Sequence, residues 1–215
     1  MPRGGFGSLL SDEQWSTLLD AGIPRAYRPG EELVRQGAPG GFVLVLRSGR
    51  VQVLRTEADG SRLLLEVRAA GDLIGEMAAR GSGLRNATVI AVDRCHAQQV
   101  PVAAFDQLPA ATLLSDYIVS KIDQHLPVRV QLAHFKPPQK VARLFAELIA
   151  LAGPEVADPR LIPLSQQEIA DALGLSRSSV AAVVADLRRD GVLGPGPRLT
   201  VLDRDRLLHH TSTAM

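Results

Sequence analysis

Two stretches of this chain hold residue types that could do chemistry. The first runs Gly71-Asp72-Leu73-Ile74-Gly75-Glu76-Met77-Ala78-Ala79 and is followed by Arg85-Asn86-Ala87-Thr88. A glycine turn that opens a short helix offers free backbone amides, and one arginine beside them completes an anion site. Glu76 would repel that anion, but it can accept a hydrogen bond from a sugar hydroxyl. Gly75, Glu76, Met77, Arg85 and Asn86 together would therefore suit a cyclic nucleotide, with phosphate on Arg85 and the amides and ribose on Glu76. The plainer alternative is a salt bridge between Glu76 and Arg85 inside an empty roll.

The second stretch is Leu164-Ser165-Gln166-Gln167-Glu168-Ile169, continuing through Gly174-Leu175-Ser176-Arg177-Ser178. Ser165 and Glu168 form a capping box, with Leu164 and Ile169 as the hydrophobic staple. Gly174 stands where a left-handed residue ends a helix. Ser176 caps a second helix, whose buried face is Val180, Val183, Val184 and Leu187. Two short helices joined by a glycine turn can be a mere helical hairpin, or a helix-turn-helix whose second helix presents its first residues to base edges. On the second reading Ser176, Arg177, Ser178 and Ala182 face the major groove. Arg177 is the long donor among them, and an arginine held bidentate to guanine is the commonest specific base contact. Ser165, Gln166 and Gln167 would hold phosphate. Arg198–Leu202, after Gly194-Pro195-Gly196-Pro197, reads as a β-hairpin wing and favours the DNA-binding alternative.

These stretches need scaffolds to position them. Ser11-Asp12-Glu13-Gln14 is a capping box for a first helix with Trp15, Leu18 and Leu19 on its apolar face. From about Arg25 to Val100 the period is two, with runs at Phe42–Leu46, Val51–Leu54, Leu63–Val67, Thr88–Val92 and Ala97–Val100. Turn residues recur between them, Asp59-Gly60 being a good hairpin turn, so an antiparallel sandwich or roll is expected. After Pro101 the pattern turns helical. Ala111–Gln131 reads as one long helix with Leu114, Ile118, Ile122, Leu126 and Val130 on a stripe that must be buried, against a twin helix in a homodimer or against its own β domain. Pro127 should kink it. Pro137-Pro138 reads as an inter-domain hinge, and Val141–Ile149 as an amphipathic helix ended by Gly153-Pro154.

Bulk properties narrow the function classes without choosing one. The 215 residues suffice for two small domains. Net charge is +1, with 14 basic and 14 acidic residues over 1–135 and 10 and 9 over 136–215, so charge alone gives no support for nucleic-acid binding. Cys95 is the single cysteine, which excludes a disulfide framework and is expected of a cytoplasmic protein; a buried strand cysteine is its plain reading. No secretory signal, membrane span, Walker loop, Ser-His-Asp pattern or metal motif is visible, so neither an enzyme, a metal site nor a membrane partner is expected.

The order of β-roll, Gly-Glu … Arg-x-Ala, long helix, hinge and winged helix resembles the cyclic-AMP receptor protein and fumarate–nitrate regulator (Crp/Fnr) superfamily over about residues 9–205. The matching residues are Gly30, Gly49, Gly71-Asp72, Gly75-Glu76, Arg85-x-Ala87, Gln167-Glu168-Ile169-Ala170, Gly174 and Ser176-Arg177. The resemblance implies an α+β chain: a cyclic-nucleotide-binding-like β-roll (jelly roll) over 1–110, a dimerisation helix and hinge over 111–136, and a winged helix-turn-helix DNA-binding domain over 137–215. It implies a homodimeric regulator that binds double-stranded DNA, works with RNA polymerase, and is gated by cyclic AMP, cyclic GMP or a related ligand. The alternative is a regulator whose roll is only a dimer scaffold. By resemblance Gly75, Glu76, Arg85 and Asn86 match the phosphate and ribose cassette, and Arg177 the guanine-reading arginine. The chain departs from the family pattern in four places. Asn86 replaces a serine or threonine, His125-Leu126 stands where cyclic-AMP receptors place a Thr-Ser pair, Ser178 replaces a glutamate and Ala182 an arginine. A different operator is expected.

Overall fold

The computed structural model describes residues 3–81, 83–123 and 135–211. After a 3-10 turn at Gly5–Leu9 comes helix α1 (Asp12–Asp20), with the Ser11–Gln14 capping box formed in both directions. Eight strands follow: β1 (Ile23–Tyr27), β2 (Glu32–Val34), β3 (Phe42–Ser48), β4 (Val51–Thr56), β5 (Arg62–Arg68), β6 (Leu73–Ile74), β7 (Thr88–Ala91) and β8 (Cys95–Pro101). The five-residue helix α2 (Glu76–Arg80) separates β6 from β7, and α3 (Val102–Phe105) follows β8. The strands form two antiparallel sheets, in the orders β1-β8-β3-β6 and β2-β7-β4-β5. This is the expected roll, with β1, β2 and β6 added to the runs that alternation marks.

The sequence of β3 shows how the layers are built. Leu44 and Leu46 point between the two sheets, while Val43 and Val45 pack on the other face with Phe6, Leu18, Phe105 and Leu114. A strand covered on both faces reads as an unbroken apolar run, as Phe42–Leu46 does. Cys95 lies buried in the inter-sheet core as expected of a small hydrophobe, and burial, with Asp93 beside it, pushes its thiol up to about 12.

Beyond a 3-10 turn at Pro109–Leu113, helix α4 covers residues 114–123. Residues 111–113 are therefore 3-10 rather than the start of the long helix, because Pro109 supplies the N1/N2 position of a tight separate turn. The apolar stripe divides. Leu114 and Tyr117 pack on the chain's own roll, whereas Val119 and Ile122 are more than half exposed. The kink expected at Pro127, with His125-Leu126 and the rest of the stripe to Gln131, lies outside the described residues.

The last third begins with α5 (Pro137–Ala150). Lys136 is its N-cap and Pro137-Pro138 occupy its first turn. That pair opens the helix rather than interrupting the chain, since an N1 proline loses no backbone bond there. Next come β9 (Leu161–Ile162), α6 (Gln166–Leu173), α7 (Arg177–Arg189), β10 (Leu199–Thr200) and α8 (Arg204–Thr211). Strand β10 pairs with β9, which precedes the helix pair, and the local hairpin expected at the wing is reduced to one bridge between Leu193 and Val201. Two prolines at 195 and 197 remove ladder donors from the turn, so the hairpin stops at the Gly194–Thr200 hydrogen bond of 2.9 Å. Among the described residues no helix is long and apolar enough to cross a membrane.

Candidate ligand cavity and nucleic-acid interface

Gly75, Glu76, Met77, Arg85 and Asn86 all line one cavity of about 240 Å³ in the roll. Its apolar walls include Val34, Val53, Leu65 and Val89, and α4 contributes Ile118, Lys121 and Ile122. The backbone explains the assembly. Gly75 is the N-cap of α2 with φ +86°, a left-handed conformation that L side chains avoid. A Cβ there would also overlap Nη1 of Arg85. Gly75→Ala is thus penalised twice, by ~1–2 kcal/mol of backbone strain and by displacement of the arginine. It should weaken any anion bound at Arg85 while circular dichroism stays native; unchanged anion affinity would refute the close fit.

Arg85 is buried. Its Nη1 donates to the Gly75 carbonyl at 3.0 Å, its Nη2 to the Phe42 carbonyl at 2.8 Å, and its guanidinium lies 4.5 Å from the Phe42 ring centroid. Burial lowers its pKa and the nearby Glu76 charge opposes that shift. A guanidinium has five N–H groups, so donors remain for an anion. Met77 is exposed at the cavity rim and Asn86 is exposed as well.

The recorded ion-pair partner of Glu76 is Arg68, not Arg85, which corrects the plainer reading of that pair. Arg68 Nη2 lies 2.9 Å from Glu76 and 2.5 Å from Glu66, its Nε donates to Glu66 at 2.7 Å, and its Nη1 to the Leu73 carbonyl at 2.5 Å. Burial alone would lower this arginine; Glu76 and Glu66 instead hold it well above its ordinary value. The network reaches α4, where Lys121 sits 3.0 Å from Asp72 and 3.6 Å from Glu66, and the Tyr117 hydroxyl donates to Asp72 at 2.9 Å. Sequence reasoning misses Arg68, Glu66, Asp72, Tyr117 and Lys121 as members of this network. Asp72 is marked only as part of the Gly71-Asp72 pair, and the others only by two ionisable residues, Glu66 and Arg68, flanking Val67 in an apolar strand.

In the last third, Ser165 caps α6 and closes the expected box with Glu168. Gly174 ends α6 with φ +63°, and Ser176 caps α7 by accepting from the Ser179 amide. Val180, Val183, Val184 and Leu187 are buried against Ile169, Ala170 and the α5 face. The caps and the packing leave Ser165, Gln167, Ser176, Arg177, Ser178 and Ala182 exposed, with Gln166 half-buried. Gln167 donates to Asp171 at 2.7 Å, and the Ser176 and Ser178 hydroxyls lie 2.9 Å apart. Arg177 makes no recorded ion pair among the described residues. The seven expected DNA residues are brought to two adjacent helix starts, with Ala181 and Ala185 also exposed on α7.

Comparison with known proteins agrees with both halves. The cyclic nucleotide-binding domain family matches residues 24–111, and the Crp-like helix-turn-helix domain family matches residues 139–209. The transcriptional regulator LdrP of Thermus thermophilus is 30% identical over 175 residues, covering 79% of this chain and 87% of its own. The cyclic AMP receptor protein of the same organism is 27% identical over 195 residues, 87% of this chain and 88% of its own. Among solved structures, a CRP-family transcriptional regulator, also from Thermus thermophilus, superposes with a TM-score of 0.75 at 25% identity, covering 88% of this chain and 97% of that one. These relatives are regulators and not enzymes, and on their evidence this chain belongs to the Crp/Fnr family of transcription regulators.

Proposed function

We propose that the chain is a homodimeric, cytoplasmic, sequence-specific DNA-binding regulator gated by a small anionic ligand, a cyclic nucleotide or a relative of one, in the roll cavity. The observation that carries this reading is the gathering of Gly75, Glu76, Met77, Arg85 and Asn86 around one cavity that α4 also lines. Arg85 and the amides at the start of α2 take the phosphate, and Glu76 accepts from a sugar hydroxyl. Ile118, Lys121 and Ile122 then touch the ligand from a helix on which Val119, and the outer part of Ile122 at the cavity edge, are exposed and apolar. A second copy of α4 on that face would bury it, in the symmetric arrangement usual for dimers. Winged helices on the two protomers would meet half-sites about one DNA turn apart, ~34 Å.

One observation favours the alternative, a roll that needs no nucleotide. Glu76 is already paired with Arg68, and Arg85 already donates to two carbonyls. The two readings separate by calorimetric titration of the full chain with cyclic AMP and cyclic GMP, beside the Arg85→Ala variant. Gating predicts binding that Arg85→Ala weakens by about 10- to 100-fold, the scale of a charge-assisted pair worth ~1.5–3 kcal/mol. No heat and no thermal shift with either nucleotide, together with operator binding unchanged by Arg85→Ala, would leave the scaffold reading.

A further inference from the structure

The cavity and the reading helices do not explain how the winged-helix head is held relative to the roll. Arg50, in the β3–β4 turn, is 1% exposed. Its Nε and Nη2 donate to the two carboxylate oxygens of Asp93 at 2.6 and 2.8 Å, and its Nη1 donates to the carbonyl of Leu148. Asp93 belongs to the roll, whereas Leu148 belongs to the last turn of α5, in the head. The last four carbonyls of a helix have no partner within it, and a cation suits that end. The roll thus supplies the cap that the head's first helix lacks at Leu148.

Two further ties meet the same helix end. Glu155, just past α5, accepts from the Gly49 amide at 2.7 Å. Glu147 accepts from the Val67 amide at 3.4 Å. Val67 and Val92 of the roll belong to the same buried cluster as Val141, Leu144, Phe145 and Leu148. Beside them an open cleft of about 420 Å³ lies between Leu64 and Leu65 of β5 and residues of α5 and α8, bordered by Lys140, Arg143 and Arg204. The polar ties add direction to the apolar packing of the shared cluster. The chain itself enters α5 at Lys136, the opposite end. A helix held at both ends cannot swivel about its covalent attachment. Ser176, Arg177, Ser178 and Ala182 remain exposed in this pose, so the docking does not hide the reading surface.

We infer that Arg50, Asp93 and Glu155 are positioning residues for DNA reading: they latch each winged-helix head to its own roll, and so set the half-site spacing that a dimer accepts. The inference rests on the dimeric DNA-binding reading above. Without the latch each head swings about residue 136 and more than one spacing is accommodated; with it, the angle between the heads follows from the angle between the rolls.

The test compares the full-length wild type with Glu155→Ala and Arg50→Lys. The lysine keeps a charge beside Asp93 but cannot bridge both its oxygens and the helix end. One arm uses no DNA. Spin labels at Ala58→Cys in the roll and Asp205→Cys in α8, in dimers where one protomer is labelled, report the distance between roll and head. Cys95 is buried with its thiol pushed up to about 12, so it stays unlabelled. The expected result is one narrow distance distribution for wild type and broadened ones for both variants. The other arm measures binding to the selected operator with its half-site spacing changed by about one or two base pairs. Wild type should disfavour the altered spacings by roughly tenfold or more, and the variants by less than about threefold, with ligand affinity and dimer content unchanged. Unchanged distances overturn the latch. Broadened distances with spacing discrimination intact overturn its role in reading. A wild type with narrow distances that selects no operator overturns the DNA reading, and this inference with it, and the label arm identifies where the failure lies.

Discussion

Arg68→Met should destabilise the roll by ~3–5 kcal/mol, read as a fall in the denaturation midpoint at constant slope. The size follows from what the substitution abandons. Arg68 is buried between Glu66 and Glu76, which are themselves buried, and donates to the Leu73 carbonyl. Methionine keeps the aliphatic stem and reaches about as far as the arginine Nε, so the larger part of the loss is electrostatic. Lys121 still lies 3.6 Å from Glu66, but Glu76 loses its recorded ion-pair partner. Glu76→Gln placed on top of Arg68→Met should therefore recover part of the loss, because a neutral amide costs less to bury than an unpaired carboxylate. If the double variant is as unstable as the sum of the two singles, Arg68 and Glu76 are not coupled. The same experiment bears on function. A hydroxyl donated to Glu76 by a ligand would take over some of the work of Arg68, so the Arg68→Met protein should be stabilised more by bound ligand than the wild type is.

Local signals locate the reading head more fully than the cavity. Ser165 with Glu168, Gly174 and Ser176 are caps, whose chemistry acts within four residues, and each forms as the spacing predicts. The apolar faces of α6 and α7 follow from the helical period in the same way. The roll is legible as alternation, and Gly75, Glu76 and Arg85 as a glycine turn with charges nearby. What the sequence does not carry is pairing across the fold. Arg50 and Leu148 are 98 positions apart, and Tyr117 and Asp72 are 45 apart. Nothing in the local pattern of either says that they meet. Glu76 illustrates the limit: Arg85 is the arginine its loop suggests, and Arg68, one strand earlier, is the one that holds it. The wing is legible only in part. Its turn residues mark the local hairpin, which forms as the Leu193–Val201 bridge, while the pairing of Leu199-Thr200 with Leu161-Ile162, upstream of both helices, has no local signal.

Arg177→Ala should weaken binding to the selected operator by ~1–3 kcal/mol and relax one base position in each half-site. Arg177 is the first residue of α7, exposed and without a recorded ion pair among the described residues, so on the proposed reading its guanidinium would reach DNA without first surrendering an ion-pair partner. The residues around it make its share large. Ser178 has its hydroxyl 2.9 Å from that of Ser176, and Ala181, Ala182 and Ala185 carry no polar group to the face. Arg188 and Arg189 lie in the last turn of α7, so with few donors in its first turns, removing Arg177 removes most of the direct reading. What specificity remains must come from phosphate contacts and from sequence-dependent DNA shape. Selection of DNA from a random pool, run on wild type and Arg177→Ala side by side, distinguishes the terms. The variant should lose one strongly preferred guanine per half-site yet retain its half-site spacing and the base composition between half-sites. A motif unaltered at every position would remove Arg177 from the interface; loss of the entire motif would show that the arginine orients the helix rather than reads a base.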